Sequence, residues 1–174
     1  NYKTINMFKK ILLAVALALP LSGMAQKFGV VDIESVFQAM PESAAMRAEL
    51  EETSKKYEDE YQKLSEEVNK LFADFQTIQN DPNTPDAIKE RRINEIQERQ
   101  AKVEQFRNTA MQNIQRLQEQ LTMPIQTKLT DAVKSVGAEG GFTFIMPNEQ
   151  ALLLYKGNDV VDVTPQVRAK LGLK

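Results

Sequence analysis

The chain has 174 residues, with 22 Lys and Arg against 24 Asp and Glu for a net charge of −2, and it contains neither histidine nor cysteine. Without cysteine there are no disulfides, no thiolate chemistry and no thioether lipid attachment, and without histidine nearly all zinc and copper sites go too. The near-balance of charge and the lack of a Gly-rich loop ending in Lys-Ser/Thr leave nucleic-acid and ATP binding unsupported, so no metal, cofactor or catalytic residue is assigned.

Residues 1–25 read as a targeting segment. Lys9 and Lys10 form a positive start, and Ile11 to Leu21 an apolar stretch of 11 residues broken by Pro20. A bilayer needs about 20 such residues, so this stretch is too short to span one. Gly23 and Ala25 put small residues at the two positions that signal peptidase reads, which places cleavage before Gln26 and exports the mature chain. Met7 reads as the natural start and Asn1 to Asn6 as an extension. Losing Lys3, Lys9 and Lys10 leaves 19 basic against 24 acidic residues, a net of −5.

Next comes a short strand, Phe28-Gly29-Val30-Val31, and then Asp32 as N-cap of a helical turn through Ile33, Val36 and Phe37 that stops at Met40-Pro41. Two long helical stretches follow. The first, Glu42 to Gln79, has 38 residues, and the second, Asp86 to Thr122, has 37. Asn80-Asp81-Pro82-Asn83-Thr84-Pro85 lies between them, and Pro82 and Pro85 mark the tip, because no helix crosses such a run unbroken. At a rise of about 1.5 Å per residue each stretch is roughly 55 Å long. Together they form an antiparallel hairpin arm over residues 42–123, too thin to hold the core of an enzyme.

Both arms carry the alternating 4-3 spacing of a left-handed coiled coil. In the first, Leu50, Tyr57, Leu64, Leu71 and Ile78 form one set, and Ser54, Tyr61, Val68 and Phe75 the other. In the second, Ile96, Val103, Ala110 and Leu117 form one set. Ile93, Gln100, Arg107, Ile114 and Leu121 form the other, weakened by its two polar members. A turn centred near Pro82 pairs residues whose numbers sum to about 164, such as Leu71 with Ile93 and Tyr61 with Val103. A slip of one heptad step gives a sum near 171, with Tyr61 beside Ala110; the shorter turn favours the first register.

Phe72, Phe106 and Met111 lie off this seam on an otherwise charged surface. They are the candidate contacts for a promiscuous apolar partner, with a second layer of hairpin packing as the alternative role. The first arm carries 5 basic against 10 acidic residues and the second 7 against 6. Only Lys89-Glu90-Arg91-Arg92 is locally basic, and a solvated face with charge pairs accounts for it.

Past the second arm, Pro124 falls inside a helical pattern that resumes at Ile125 and continues through Leu129, Ala132, Val133 and Val136. A mid-helix proline loses a hydrogen bond and kinks the axis, so Pro124 is assigned as the hinge between arm and body. Gly137, Gly140 and Gly141 end that helix. Strands are expected at Phe142 to Met146, Leu152 to Tyr155 and Val160 to Val163, and Thr164 caps a last short helix opened by Pro165. Residues 26–41 and 124–174 thus make a small β-rich body of 67 residues. A domain of that size buries only about 60% of its unfolded surface. With no disulfide or metal available, self-association is the remaining staple, and it would also cover open strand edges. The fold class is α+β, a long helical hairpin on a small oligomerisation body.

The order of these features carries a family resemblance. A leader is followed by Phe28-Gly29-Val30-Val31-Asp32-Ile33, Met40-Pro41-Glu42-Ser43 and a charged hairpin. Pro124-Ile125, an Ala132-Val133-Lys134-Ser135-Val136 helix, glycines and Phe142-Thr143-Phe144-Ile145 complete it. Across the mature chain this resembles the Skp/OmpH family of periplasmic chaperones, and the Met-Pro-Glu junction resembles its Bacteroidetes branch. The resemblance implies a periplasmic homotrimer shaped like a jellyfish, with three hairpin tentacles around a cavity for unfolded outer-membrane proteins. The best-known members are strongly basic. The acidic balance here departs from them and argues against lipopolysaccharide or membrane-surface binding.

Three functional classes follow. An ATP-independent holdase would cage apolar chains through many weak contacts and release them to a better sink in the membrane. An envelope spacer or adaptor would use the same coiled coil without holding clients. An enzyme would have only Asp and Glu for acid–base work, and no fixed pair stands out. Off-seam apolar residues favour the first class, since a pure spacer has no use for them.

Overall fold

The computed structural model describes residues 26–173. The leader with its cleavage site lies outside the described residues. The elements run β1 (Lys27–Val31), α1 (Ile33–Ala39), α2 (Pro41–Gln79), α3 (Asp86–Gly140), β2 (Phe142–Pro147), β3 (Val161–Asp162) and α4 (Thr164–Lys170). The class is α+β: mostly long helix, with one small sheet.

Asp32 opens α1 as expected, its carboxylate accepting the Ser35 N–H at 2.9 Å. Met40 then turns extended, with ψ 132°, and Pro41 starts α2 one residue earlier than the pattern suggested, at the position where its missing N–H costs nothing. The heptad positions of α2 are all half-buried between exposed neighbours, as a two-helix seam requires. On α3 the burial narrows to one line, Ile96, Val103 and Ala110. Gln100 and Arg107 are exposed, and Ile93 with them.

The tip is an aspartate turn. The Asp81 carboxylate accepts from the Asn83 N–H at 3.0 Å and side-chain amide at 3.2 Å, and from the Thr84 hydroxyl at 2.8 Å. These bonds hold its pKa below the ordinary range, the Asn83 N–H most of all. Pro85 caps α3 with its carbonyl, which accepts from Ile88 and Lys89. Contacts across the hairpin run from the first expected register almost to the second. Tyr57 meets the Phe106 ring at 5.9 Å, Arg99 meets Glu67 at 3.6 Å, and Thr122 meets the Met46 sulfur at 3.4 Å. Their residue numbers sum to 163, 166 and 168, and the hydrogen bond between Asn113 and Tyr57 brings the sum to 170, so no single pairing sum describes the whole hairpin.

α3 runs through Pro124 without a break and changes partner there. Above it the seam faces α2. Below it Ile125, Leu129, Ala132 and Val136 form an ordinary 3.6-residue stripe buried against β1, α1 and α4. Gly137, expected to help end the helix, lies inside it, and Gly141 in the left-handed conformation (φ 64°) is the real stop.

The sheet order is β2-β1-β3, with both pairings parallel, so the first strand of the described chain lies at its centre. Gly29 lets β2 close on that strand, because a Cβ there would meet Ile145 Cγ1 at 3.0 Å and the Phe142 ring at 3.1 Å. Two strand expectations need correction. Leu152 to Tyr155 is not a strand: the Leu152 and Leu153 N–H groups both turn back to the Glu149 carbonyl, and no described strand lies beside this segment to supply a ladder. The last strand shrinks to Val161–Asp162, because the Val163 N–H still reaches Val30 while its backbone already opens α4. Thr164 is accordingly the first helical residue and not the cap. Its hydroxyl accepts the Asp32 N–H at 2.9 Å, which ties the last helix to the end of β1.

Candidate functional site

The three off-seam candidates separate in the structure. Phe72 on α2 is 49% exposed and Met111 on α3 is 62% exposed, each with its apolar surface in water. Phe106 is half-buried, its ring tilted against Tyr57. Phe106 and Met111 share one groove on the side of the hairpin, about 340 Å³ in volume, and Phe72 does not line it.

The groove has a local cause. Ser54 is the short, polar member of its α2 set and Ala110 the short member of its α3 set, and both line the same hollow. Small side chains on both arms leave the seam underfilled at this level, and Tyr57, Tyr61 and Phe106 wall the gap. The Tyr57 hydroxyl accepts from the Asn113 amide at 3.1 Å, which fixes one wall. Glu58 and Arg107 stand at the rim, one charge of each sign. Sequence reasoning assigned Tyr57 and Tyr61 to packing alone. The readable signal was the coincidence of the smallest seam residues in the two arms, Ser54 and Ala110, which the first register places opposite each other.

At the neck, the Lys128 ammonium donates to the Glu42 carboxylate, joining the first turn of α2 to α3 one turn past Pro124. That hydrogen bond is the main reason the Glu42 pKa lies below its ordinary value. Pro124 has no N–H, so the Gln120 carbonyl loses its helical donor. One residue before the proline, the Met123 carbonyl accepts the Thr127 hydroxyl at 2.9 Å, and the Met123 side chain is largely exposed. The tip prolines Pro82 and Pro85 are exposed and flank the aspartate turn. In the body, Phe144, Met146 and Leu152 present apolar surface, and Leu154 and Tyr155 are 97% and 86% exposed. Among the described residues no cluster of three or more acidic, His or Cys side chains could hold a metal, and no helix is long and apolar enough to cross a membrane.

The model of the family OmpH, outer membrane protein (OmpH-like), matches residues 27–171, which takes in every element from β1 to α4. The chain belongs to the OmpH-like family. Two curated relatives share this extent. The chaperone protein Skp of Yersinia enterocolitica is 26% identical over 162 residues, covering 90% of this chain and 94% of its own. The chaperone protein Skp of Pectobacterium atrosepticum is 28% identical over 169 residues, covering 92% and 99%. In this OmpH-like chain, then, family membership spans arms and body together.

Proposed function

We propose that this chain is an ATP-independent holdase chaperone of the periplasm that cages unfolded outer-membrane proteins between its helical arms and keeps them from aggregating. Membership of the OmpH-like family and the relatives named chaperone protein Skp support this reading. The observation that carries it is the apolar surface left in water on the arms, at Phe72 on α2 and at Ile88, Ile93 and Met111 on α3, among charged neighbours. A hairpin built only to separate two partners would have those positions polar. Nascent β-barrel strands expose apolar residues in alternation, and many weak contacts to such side chains hold a chain and still let it go. The role needs no catalysis.

The functional unit on this reading is a homotrimer held by the body, residues 26–41 and 124–174, with residues 42–123 as the arm and Pro124 as its hinge. β2 and β3 are the two edges of the sheet, and the exposed Phe144, Leu154 and Tyr155 lie in the same part of the chain, as an association surface would. The leader, cleaved before Gln26, delivers the chain to the periplasm, and the mass of the exported protein tests that site.

A β-barrel membrane protein unfolded in urea and diluted with excess of this chain should stay in solution, as read by light scattering. Aggregation at the same rate with and without the chain would remove the holdase reading. Replacing Phe72, Phe106 and Met111 together with Ser should weaken the protection and shift the thermal melt only as far as Phe106, the half-buried one, contributes.

A further inference from the structure

We propose that the groove between Tyr57, Tyr61, Phe106 and Met111 is a discrete socket for single aromatic side chains of an unfolded polypeptide. This rests on the holdase reading and goes further, naming where on the arm a client side chain sits and what kind it is. Three observations carry it. The groove is a consequence of sequence, since the short seam residues Ser54 and Ala110 meet at one level, where a leucine at Ala110 would continue the heptad set and fill the space. Its walls are mostly aromatic: three rings, with Ile114 beside them and a thioether 62% exposed at the edge. Rings pack edge-to-face and thioethers favour ring edges, so this lining suits an aromatic guest better than an aliphatic one.

The rim supplies the third observation. Glu58 on α2 and Arg107 on α3 put one charge of each sign on the lining, and Arg107 is already paired with Glu104 of its own helix at 3.7 Å. A rim of mixed sign whose cation is already paired gives a charged guest little to bind. It suits the polar neighbours that flank an aromatic residue in an alternating strand, with a donor on one side and an acceptor on the other. Capture here is therefore apolar and persists in high salt, which separates it from capture by the charged helix faces.

The chain has no tryptophan, so the fluorescence of a client tryptophan is read without background. The probe is a short soluble peptide with one Trp between Thr and Ser neighbours, titrated with the full mature protein. Its emission should shift to the blue and saturate, in low and high salt alike. Ala110→Leu fills the socket while keeping or raising the thermal melt, and should weaken binding by about fivefold, the scale of one lost ring contact. Met111→Ser removes only the rim thioether and should weaken binding about twofold to threefold. No blue shift with the wild type, equal binding in both variants, or loss of binding in high salt each overturns the socket. If Ala110→Leu lowers the melt, Met111→Ser decides, because its exposed side chain holds nothing in place. The aggregation measurement stands apart: a wild type that binds the peptide but fails to protect an unfolded β-barrel protein removes the holdase reading and leaves the socket.

Discussion

Met40 and Ser43 lie within one turn of each other where the arm leaves the body, both fully buried, and they should respond to alanine with opposite sign. Met40→Ala opens a cavity in the cluster of Val31, Val36, Ile125 and Val163, at a cost of about 2–5 kcal/mol. The Ser43 hydroxyl has no hydrogen-bond partner among the described residues, so its burial is a cost the fold already carries. Ser43→Ala should leave the melt unchanged or raise it, by up to about 1 kcal/mol of stability. A melt that falls would mean the hydroxyl is satisfied in the assembled protein. Gly29 is constrained by space and Gly141 by conformation. Gly29→Val should cost about 1–3 kcal/mol by driving apart β1 and β2, and Gly141→Val about 1–2 kcal/mol through its left-handed backbone. Both are read from urea unfolding. The titratable residues set a pH window. Glu42, Asp81, Asp162 and Glu139 all have depressed pKa values, from hydrogen bonds with Lys128, Asn83, Thr164 and Lys170 respectively. A carboxylate more acidic in the folded state contributes stability that is complete above its ordinary pKa and lost as pH falls through the folded value. The melt should therefore be flat through neutral pH and fall only below the ordinary carboxylate range.

At the scale of elements, the helices and both strands of the β1–β2 pair were legible, and the segment after β2 was not. Heptad spacing repeated over five turns or more fixes a seam whatever surrounds it, so the half-buried line from Leu50 to Ile78 is readable from sequence. The prolines at 82 and 85 punctuated the tip for the same reason: they act locally. Leu152 to Tyr155 has the composition of a strand, but a strand exists only where a neighbour offers its ladder, and within one chain none is described there. Register was the other gap, since one fixed sum does not describe contacts that run from 163 to 170. The first register does place Ser54 opposite Ala110, but spacing alone does not show that the space beside two short seam residues stays open between Tyr57 and Tyr61. Pro124 gives this scale its prediction. Pro124→Ala restores a donor to the Gln120 carbonyl and should stiffen α3 across the neck, narrowing the spread of the arms in small-angle scattering. Lys128→Met, which removes the tie to Glu42, should widen it. Identical profiles for wild type and Pro124→Ala would reduce Pro124 to a tolerated irregularity.

For the whole molecule, the decisive quantity is the number of chains. The body packs a single cluster of nine buried residues, with Val36, Val163 and Val167 at its centre and apolar side chains still exposed around it. Light scattering on the mature protein should give three times the chain mass, and so should a variant with residues 42–122 replaced by a short linker. A stable monomer of either would show that the body stands alone. Leu154→Asp with Tyr155→Ser should shift the mass toward the monomer, since neither side chain supports the fold of one chain. Charge also acts at this scale. With twice as many acids as bases on the first arm, client capture should weaken little as salt rises.

The central place of β1 sets a timetable. Its two partners arrive only after the entire hairpin and, for β3, nearly the whole chain has been made, so the strand waits unpaired through most of synthesis. Residues 32–141 would form a costly loop if left slack; a hairpin zipping from its tip by local contacts would carry Phe142 back to Lys27, the first residue of β1. The arm is then the scaffold on which the body closes, before it is anything to a client. Substitutions at the aspartate turn, such as Asp81→Ala, should slow refolding of the body while hardly changing its rate of unfolding.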